Sequence, residues 1–312
     1  MGGRWPGGEL DTAPFPGGAA ARRGGAGWVL VEERPERALG GTLAWARQAG
    51  VEELHLLAQA GSGELARRAA TFAHPPTVWR VDGRDLEPAA PVPLAPEPPA
   101  LGAAVAAFRP VIEAAGAEAV VEHGVLRGEV LGLEVARVVE EGGHARLEVG
   151  VGAFDREAQR LVHGDRPTAE ALSAAVAAVA ELRRPGAPEH QVNRLCAERW
   201  LRAVLVRRPD LVGARRLVPV SSPVPRPDLR TPAPAPAAGI DSEGRPLLAV
   251  CSTGIDVDLV PAAADARLAD GREARLLLVL PEADDHPVTR FLAAALAEPA
   301  EVDTVAGDWR LL

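Results

Sequence analysis

GWVLVEERPERALGGTLAWARQAGVEELHLLA, residues 27–58, decides the fold. Its opening run, GWVLVEE (27–33), is apolar and β-branched and predicts a buried strand. PERALGGTLAWARQAG (35–50) predicts a helix, with Pro35 in the first turn, where a missing N–H costs nothing. ELHLLA (53–58) predicts a second strand. Continuing outward, GELARRAATFA (63–73) predicts a helix and TVWRV (77–81) a third strand. Strands alternating with helices in this way make a βαβαβ unit with a parallel sheet, over 27–86.

The far end of the chain repeats the order. PLLAVCS (246–252), ARLLLVLP (274–281) and AEVDTV (300–305) predict strands, and 256–270 and 286–298 predict helices. An ungapped offset of 224 residues superposes the second halves: Leu54 on Leu278, Leu56 on Leu280 and Phe72 on Leu296. The same offset carries Pro75, Val78, Val81 and Gly83 onto Pro299, Val302, Val305 and Gly307. This reads as an internal duplication, although any two βαβαβ units share such a pattern. Pro/Ala-rich stretches at 87–99 and 219–238 predict extended linkers. The Gly-rich residues 1–26 predict a disordered N-terminal tail. The expected fold class is therefore α/β. Two Rossmann-like units, 27–86 and 239–312, flank a middle block and pack together, because three strands alone make a small sheet.

The middle block, 100–218, is α+β. A helix is expected at 101–117, then strands at 119–126, 128–139 and 145–152 as a three-stranded meander, with EGGH (141–144) as a hairpin turn. Helices are expected at 154–163, 168–183 and 188–208.

Composition removes whole chemistries. The chain has no lysine: all 34 basic residues are arginine. Schiff-base catalysis, a Walker A loop and the kinase strand lysine all lack their amine. A GC-rich genome accounts for the bias, since asparagine occurs once and isoleucine three times. The net charge of −9 argues against general coating of nucleic acid. Cys196 and Cys251 stand alone, without the spacing of a zinc or disulfide framework. No apolar run is long enough to span a membrane. The start has no apolar leader, so a cytoplasmic location is expected.

In the middle block Glu113 falls on the first helix, Glu129 or Glu134 on the second strand and Glu148 on the third. Gln159 follows on the next helix, in Gln159-Arg-Leu-Val-His163. Over about 101–163 this order resembles the restriction-endonuclease-like superfamily, the PD-(D/E)XK nucleases. The resemblance implies Mg²⁺ held by Glu113, Glu134 and Glu148 and a metal-activated water. The chain departs from that pattern at the motif's lysine, here Gly150, and at its tyrosine, here His163. The same carboxylates also suit the wet face of a sheet.

Two further clusters are candidates. Residues 183–216 hold nine arginines against three acids. Arg194, Arg202, Arg207 and Arg208 would contact nucleic-acid phosphate, or form the solvated basic face of an amphipathic helix, with Arg194, Glu198 and Arg202 stepping along one side. The turns of the last block bring Ser252, Thr253, Gly254 and Asp256 near Asp284, Asp285 and His286 in the chain's βα order. Ligands of open α/β sheets bind at such strand ends. Ordinary N-capping by Asp256 and Asp285 explains the same residues. The function expected first is a small-ligand or nucleotide-binding, regulatory protein. A metal-dependent nucleic-acid enzyme, or a silent relative of one, and an interaction scaffold are the alternatives.

Overall fold

The computed structural model describes residues 10–163, 169–188, 190–224, 226 and 228–312, with backbone alone for 158–163. The chain is mixed α/β, with three sheets of six, four and five strands among the described residues. It divides into two compact units. The first comprises residues up to 94 with 256–265 and 286–300; the second comprises 95–255 with 266–285 and 301–312. The boundary at 94/95 falls inside the expected 87–99 linker, and the third sequence block is divided between the units.

The first unit begins with strands where a disordered tail was expected, although residues 1–9 lie outside the described ones. Strands β1 (Asp11–Phe15), β2 (Gly18–Arg23) and β3 (Ala26–Val31) pair antiparallel in order. The glycines that look aperiodic are turn residues: Pro16-Gly17 joins β1 to β2, with Gly17 at φ 74°, and Gly24-Gly25 joins β2 to β3. Helix α1 (Leu39–Ala49), β4 (Glu53–Ala58), α2 (Ser62–Ala69) and β5 (Thr77–Asp82) follow, with β3, β4 and β5 parallel. Strand β6 (Asp85–Pro88) closes the sheet antiparallel to β5. Val29, Val31, Leu56, Ala58 and Val78 are buried, the period-two pattern of one packed face.

Inside this unit the 224-residue offset takes a spatial form. Phe72 and Leu296 make an antiparallel bridge. Ala73 N–H donates to the Ala295 carbonyl at 3.0 Å, and Ala297 N–H donates to the Thr71 carbonyl at 2.9 Å. Exchanging each residue for its partner 224 positions away turns one hydrogen bond into the other.

In the second unit the helix expected over 101–117 is two, α3 (Ala103–Ala106) and α4 (Arg109–Ala114). Pro110 has no N–H to donate, so it starts a new helix instead of continuing the old one. The meander region holds four strands, not three: β7 (Glu118–Glu122), β8 (Val125–Val130), β9 (Leu133–Glu141) and β10 (His144–Val149). Neighbours in sequence pair antiparallel. Each of the three connections is two residues with positive φ at both: His123-Gly124 (52°, 74°), Leu131-Gly132 (47°, 74°) and Gly142-Gly143 (58°, 79°). That is the primed turn matching strand twist. A bulky first residue hid two of the three turns. Gly132 is also required by contact, since a Cβ there would lie 2.3 Å from the Arg199 carbonyl carbon.

Helices α5 (Gly152–His163), α6 (Ala169–Leu182) and α7 (Ala197–Arg207) come next. The helix expected over 188–208 is interrupted. A 3₁₀ turn covers Gln191–Arg194, and Cys196, left-handed at φ 53°, precedes α7. The last sheet joins β11 (Ala214–Pro219), β12 (Ala235–Asp241) and β13 (Pro246–Cys251) antiparallel. Helix α8 (Leu259–Asp270), β14 (Arg275–Pro281), α9 (Pro287–Ala294) and β15 (Glu301–Val305) complete the chain order, with β13, β14 and β15 parallel.

The end of the expected 219–238 linker is thus the buried strand β12. Ala235 and Ala237 share a core with Trp200, Leu201, Val204 and Leu205 of α7, so small side chains here are a packing requirement. Pro236 is tolerated because its edge faces the β11 side beyond Pro219, the last paired residue, and its carbonyl still accepts Val220 N–H at 3.2 Å. A second core, including Ile112, Leu133, Val135 and Leu172, lies against the four-stranded sheet. Among the described residues no helix is long and apolar enough to cross a membrane.

Candidate functional site

The second unit contains a cavity of about 550 Å³ into which six arginines converge: Arg127, Arg137, Arg156, Arg199, Arg226 and Arg230. Three carboxylates line it with them, Glu122, Glu134 and Asp228. Strand register sets up the first pair. Arg127 of β8 stands directly opposite Arg137 of β9. Like charges in that position repel, and Glu134 relieves the repulsion. Its carboxylate accepts Arg127 Nη1 at 2.5 Å, Arg137 Nε at 2.8 Å and Arg156 Nη1 at 3.1 Å, and its side chain is 1% exposed. Arg156 lies within 3.7 Å of Glu148 as well. Burial, and then repulsion from Arg137, lowers the pKa of Arg156 against the attraction of Glu134 and Glu148.

Helix α7 supplies the back wall. Arg199 donates to Glu129 at 2.8 Å and also to Glu122. Burial acts to raise the Glu122 carboxyl, but Arg199, Arg202 and Arg127 outweigh it and hold the group below its ordinary range. Arg226 and residues 228–230 form another wall. Arg226 Nη1 donates to Cys196 Sγ at 2.6 Å, while its buried Nε has no hydrogen-bond partner among the described residues. Burial pushes the Cys196 thiol up despite Arg226, Arg199 and Arg183, so it gives Arg226 no negative charge. Asp228 is occupied by the backbone N–H groups of Arg230 and Thr231, both at 2.7 Å. His123, in the β7–β8 turn, has its pKa lowered, mainly by burial. Phe154, near the start of α5, is 86% exposed and also lines the cavity.

The residues singled out from sequence fall differently. Glu134 and Glu148 meet on Arg156. Glu148 also pairs with Arg146 at 3.0 Å. Glu113 is exposed and lies 3.8 Å from Arg109. The Gln159 and His163 side chains lie outside the described ones. Gly150, at the position of the nuclease lysine, is at φ 137°, and a Cβ there would lie 2.8 Å from Arg156 N. Among the described residues no three His, Cys, Asp or Glu side chains are placed to hold a metal ion.

Three of the nine arginines of 183–216 turn inward, Arg183, Arg199 and Arg202, and the other six are exposed. Arg202, 2% exposed, pairs with Glu129 at 3.3 Å. Arg183 is buried and donates to the carbonyls of Leu131, Val192 and Leu195. Arg207 pairs with Glu118 and Arg208 with Asp210. Arg194 belongs to the 3₁₀ turn, not to the side of α7 where sequence spacing put it.

The βα turns are internally satisfied. Ser252 is buried, with its N–H on the Val279 carbonyl. Next to Thr253, Gly254 N–H donates to Asp284 Oδ2 at 2.7 Å. In the first unit Asp256 pairs with Arg37 at 2.8 Å and accepts Asp258 N–H. His286, not Asp285, caps α9, its Nδ1 accepting Val288 N–H at 3.2 Å.

No protein-family model, curated protein or solved structure matches this chain.

Proposed function

We propose that this chain is a small-ligand-binding protein whose ligand is a phosphorylated molecule of nucleotide size, held in the arginine-lined cavity of the second unit. The observation that carries this reading is the positive charge: among the described residues six arginines line the cavity, three carboxylates line it with them, Glu129 and Glu148 pair with Arg199 and Arg156, and Arg226 rests on a neutral thiol. Guanidinium groups grip phosphate bidentately, and they do so more strongly away from bulk water. A volume of about 550 Å³ suits a mononucleotide. Phe154 at the wall offers a face for a base. The βα turns expected to receive a ligand are occupied by the protein's own groups. In this reading the two Rossmann-like units are scaffold, and the reciprocal bonds around Phe72 and Leu296 support their origin by duplication.

The nuclease-like alternative would use Glu134 and Glu148 for Mg²⁺. That metal would have to displace the guanidinium groups already on those oxygens. Anion binding uses the same arrangement as it stands.

The test is thermal unfolding with 5 mM ADP, adenosine or inorganic phosphate at constant ionic strength. ADP stabilises the protein most, phosphate less and adenosine little, because only a ligand of the folded state raises its melting temperature. Equal effects from ADP and adenosine would overturn the reading.

A further inference from the structure

A second cavity in the same unit, about 460 Å³, shares no lining residue with the first. It is built where the chain turns between α6 and α7 and is closed by the last residues described. Arg184, Arg194 and Arg310 line it, and among the described residues Asp308 is the one carboxylate that does. That carboxylate already accepts Arg310 N–H at 3.2 Å. Arg184 is engaged by Glu181 at 2.8 Å. Arg194 and Arg310 have no carboxylate within ion-pair reach among the described residues. The Arg310 guanidinium lies 4.5 Å from the Trp309 ring and 5.8 Å from Trp200, so two indoles packed edge to face fix its place without neutralising it.

The other informative group is Asn193. Its Oδ1 is buried against this cavity and accepts no hydrogen bond among the described residues. A buried acceptor without a donor is destabilising. The cavity therefore presents two needs together: negative charge for Arg194 and Arg310, and a donor for Asn193.

We infer that this cavity is a second ligand site, for a small phosphate ester that also carries a hydroxyl or amine donor. The phosphate lies between Arg194 and Arg310 and the donor reaches Asn193 Oδ1. The inference rests on residues separate from those of the first cavity, so either can fail alone. Arg194 and Arg310 are both exposed, so their replacement leaves the fold intact.

Isothermal titration with AMP tests it, with sulfate as an anion that has no donor. The parent should bind two AMP per chain. Arg194→Gln with Arg310→Gln should reduce this to one. Arg137→Gln with Arg226→Gln, in the first cavity, should also leave one, and that remaining site should bind AMP at least tenfold more tightly than sulfate. Adding Asn193→Ala to this last protein should weaken AMP towards the sulfate value and leave sulfate unchanged. One AMP in the parent, abolished by Arg194→Gln/Arg310→Gln, would sink the first site and keep the second. Unchanged stoichiometry in Arg194→Gln/Arg310→Gln, or no AMP bound by the parent, would overturn the inference. Equal loss of AMP and sulfate in Asn193→Ala would remove the donor from it.

Discussion

The arginines of 183–216 and those of the first cavity use one side chain in opposite ways. The first group is dense in sequence and mostly spent in space: Arg199 and Arg202 neutralise Glu122 and Glu129, and Arg183 holds three carbonyls. The five cavity arginines outside that segment are sparse in sequence, from Arg127 to Arg230, and outnumber the carboxylates that meet them among the described residues, Glu134, Glu148 and Asp228. Charge density along a chain therefore says little about where unneutralised charge will stand. Pairing decides that, and pairing is set by strand register and helix placement.

The largest effect should come from breaking a spent pair. Glu129 is 1% exposed and holds Arg199 and Arg202. Glu129→Gln leaves buried guanidinium charge uncompensated and should cost about 3–5 kcal/mol in urea unfolding. A cost below about 1 kcal/mol would mean the network is solvated and the contrast between the two groups is false.

Glu134→Gln should act differently, because its arginines can take an exogenous anion instead. The variant should be less stable than the parent in chloride and recover with added phosphate. Its affinity for ADP should rise about tenfold, about 1.4 kcal/mol. A fall in ADP affinity would place the anion elsewhere.

Asp258, in the first unit, sharpens the comparison from the other side. Its Oδ1 accepts Gly40 N–H at 3.0 Å, and burial above all raises its pKa from 3.8 to about 7. The folded state therefore keeps a proton that the unfolded state releases. Stability should fall as pH rises between about 4 and 7, by at most about 1.4 kcal/mol per pH unit. Asp258→Asn keeps the Gly40 contact and should remove that slope. Parallel urea midpoints for parent and variant at pH 4.5, 6 and 7.5 would show an ordinary carboxyl.

The smallest effect belongs to the exposed pairs. Arg207→Gln and Arg208→Gln should leave the melting temperature unchanged, since solvent screens both partners. A clear drop from either would mean the segment's outer face also carries stability.

Much of the architecture was legible because it is local. The apolar runs of β3, β4, β13 and β14 and the helices between them announce themselves by period. The duplicated pattern around Phe72 and Leu296 was visible as an ungapped offset. What stayed hidden depends on special backbone or distant partners. His123 and Leu131 occupy left-handed turn positions that normally signal glycine or asparagine. Cys196 interrupts a helical pattern through the same conformation. β12 looked like a linker because its Ala and Pro residues answer to α7 packing above them. The cavity was least legible, since no two of its six arginines are neighbours in sequence. The one available hint was the register that opposes Arg127 to Arg137, and finding it required the hidden turns.

ADP titration of the parent against Arg226→Ala/Arg230→Ala, by calorimetry at fixed ionic strength, tests the central claim most directly. If the cavity holds the phosphates, the variant binds ADP at this site at least tenfold more weakly than the parent, keeps the binding at the second cavity, and unfolds at the same temperature as the parent. Equal ADP affinity in both, or no heat from either, would contradict it.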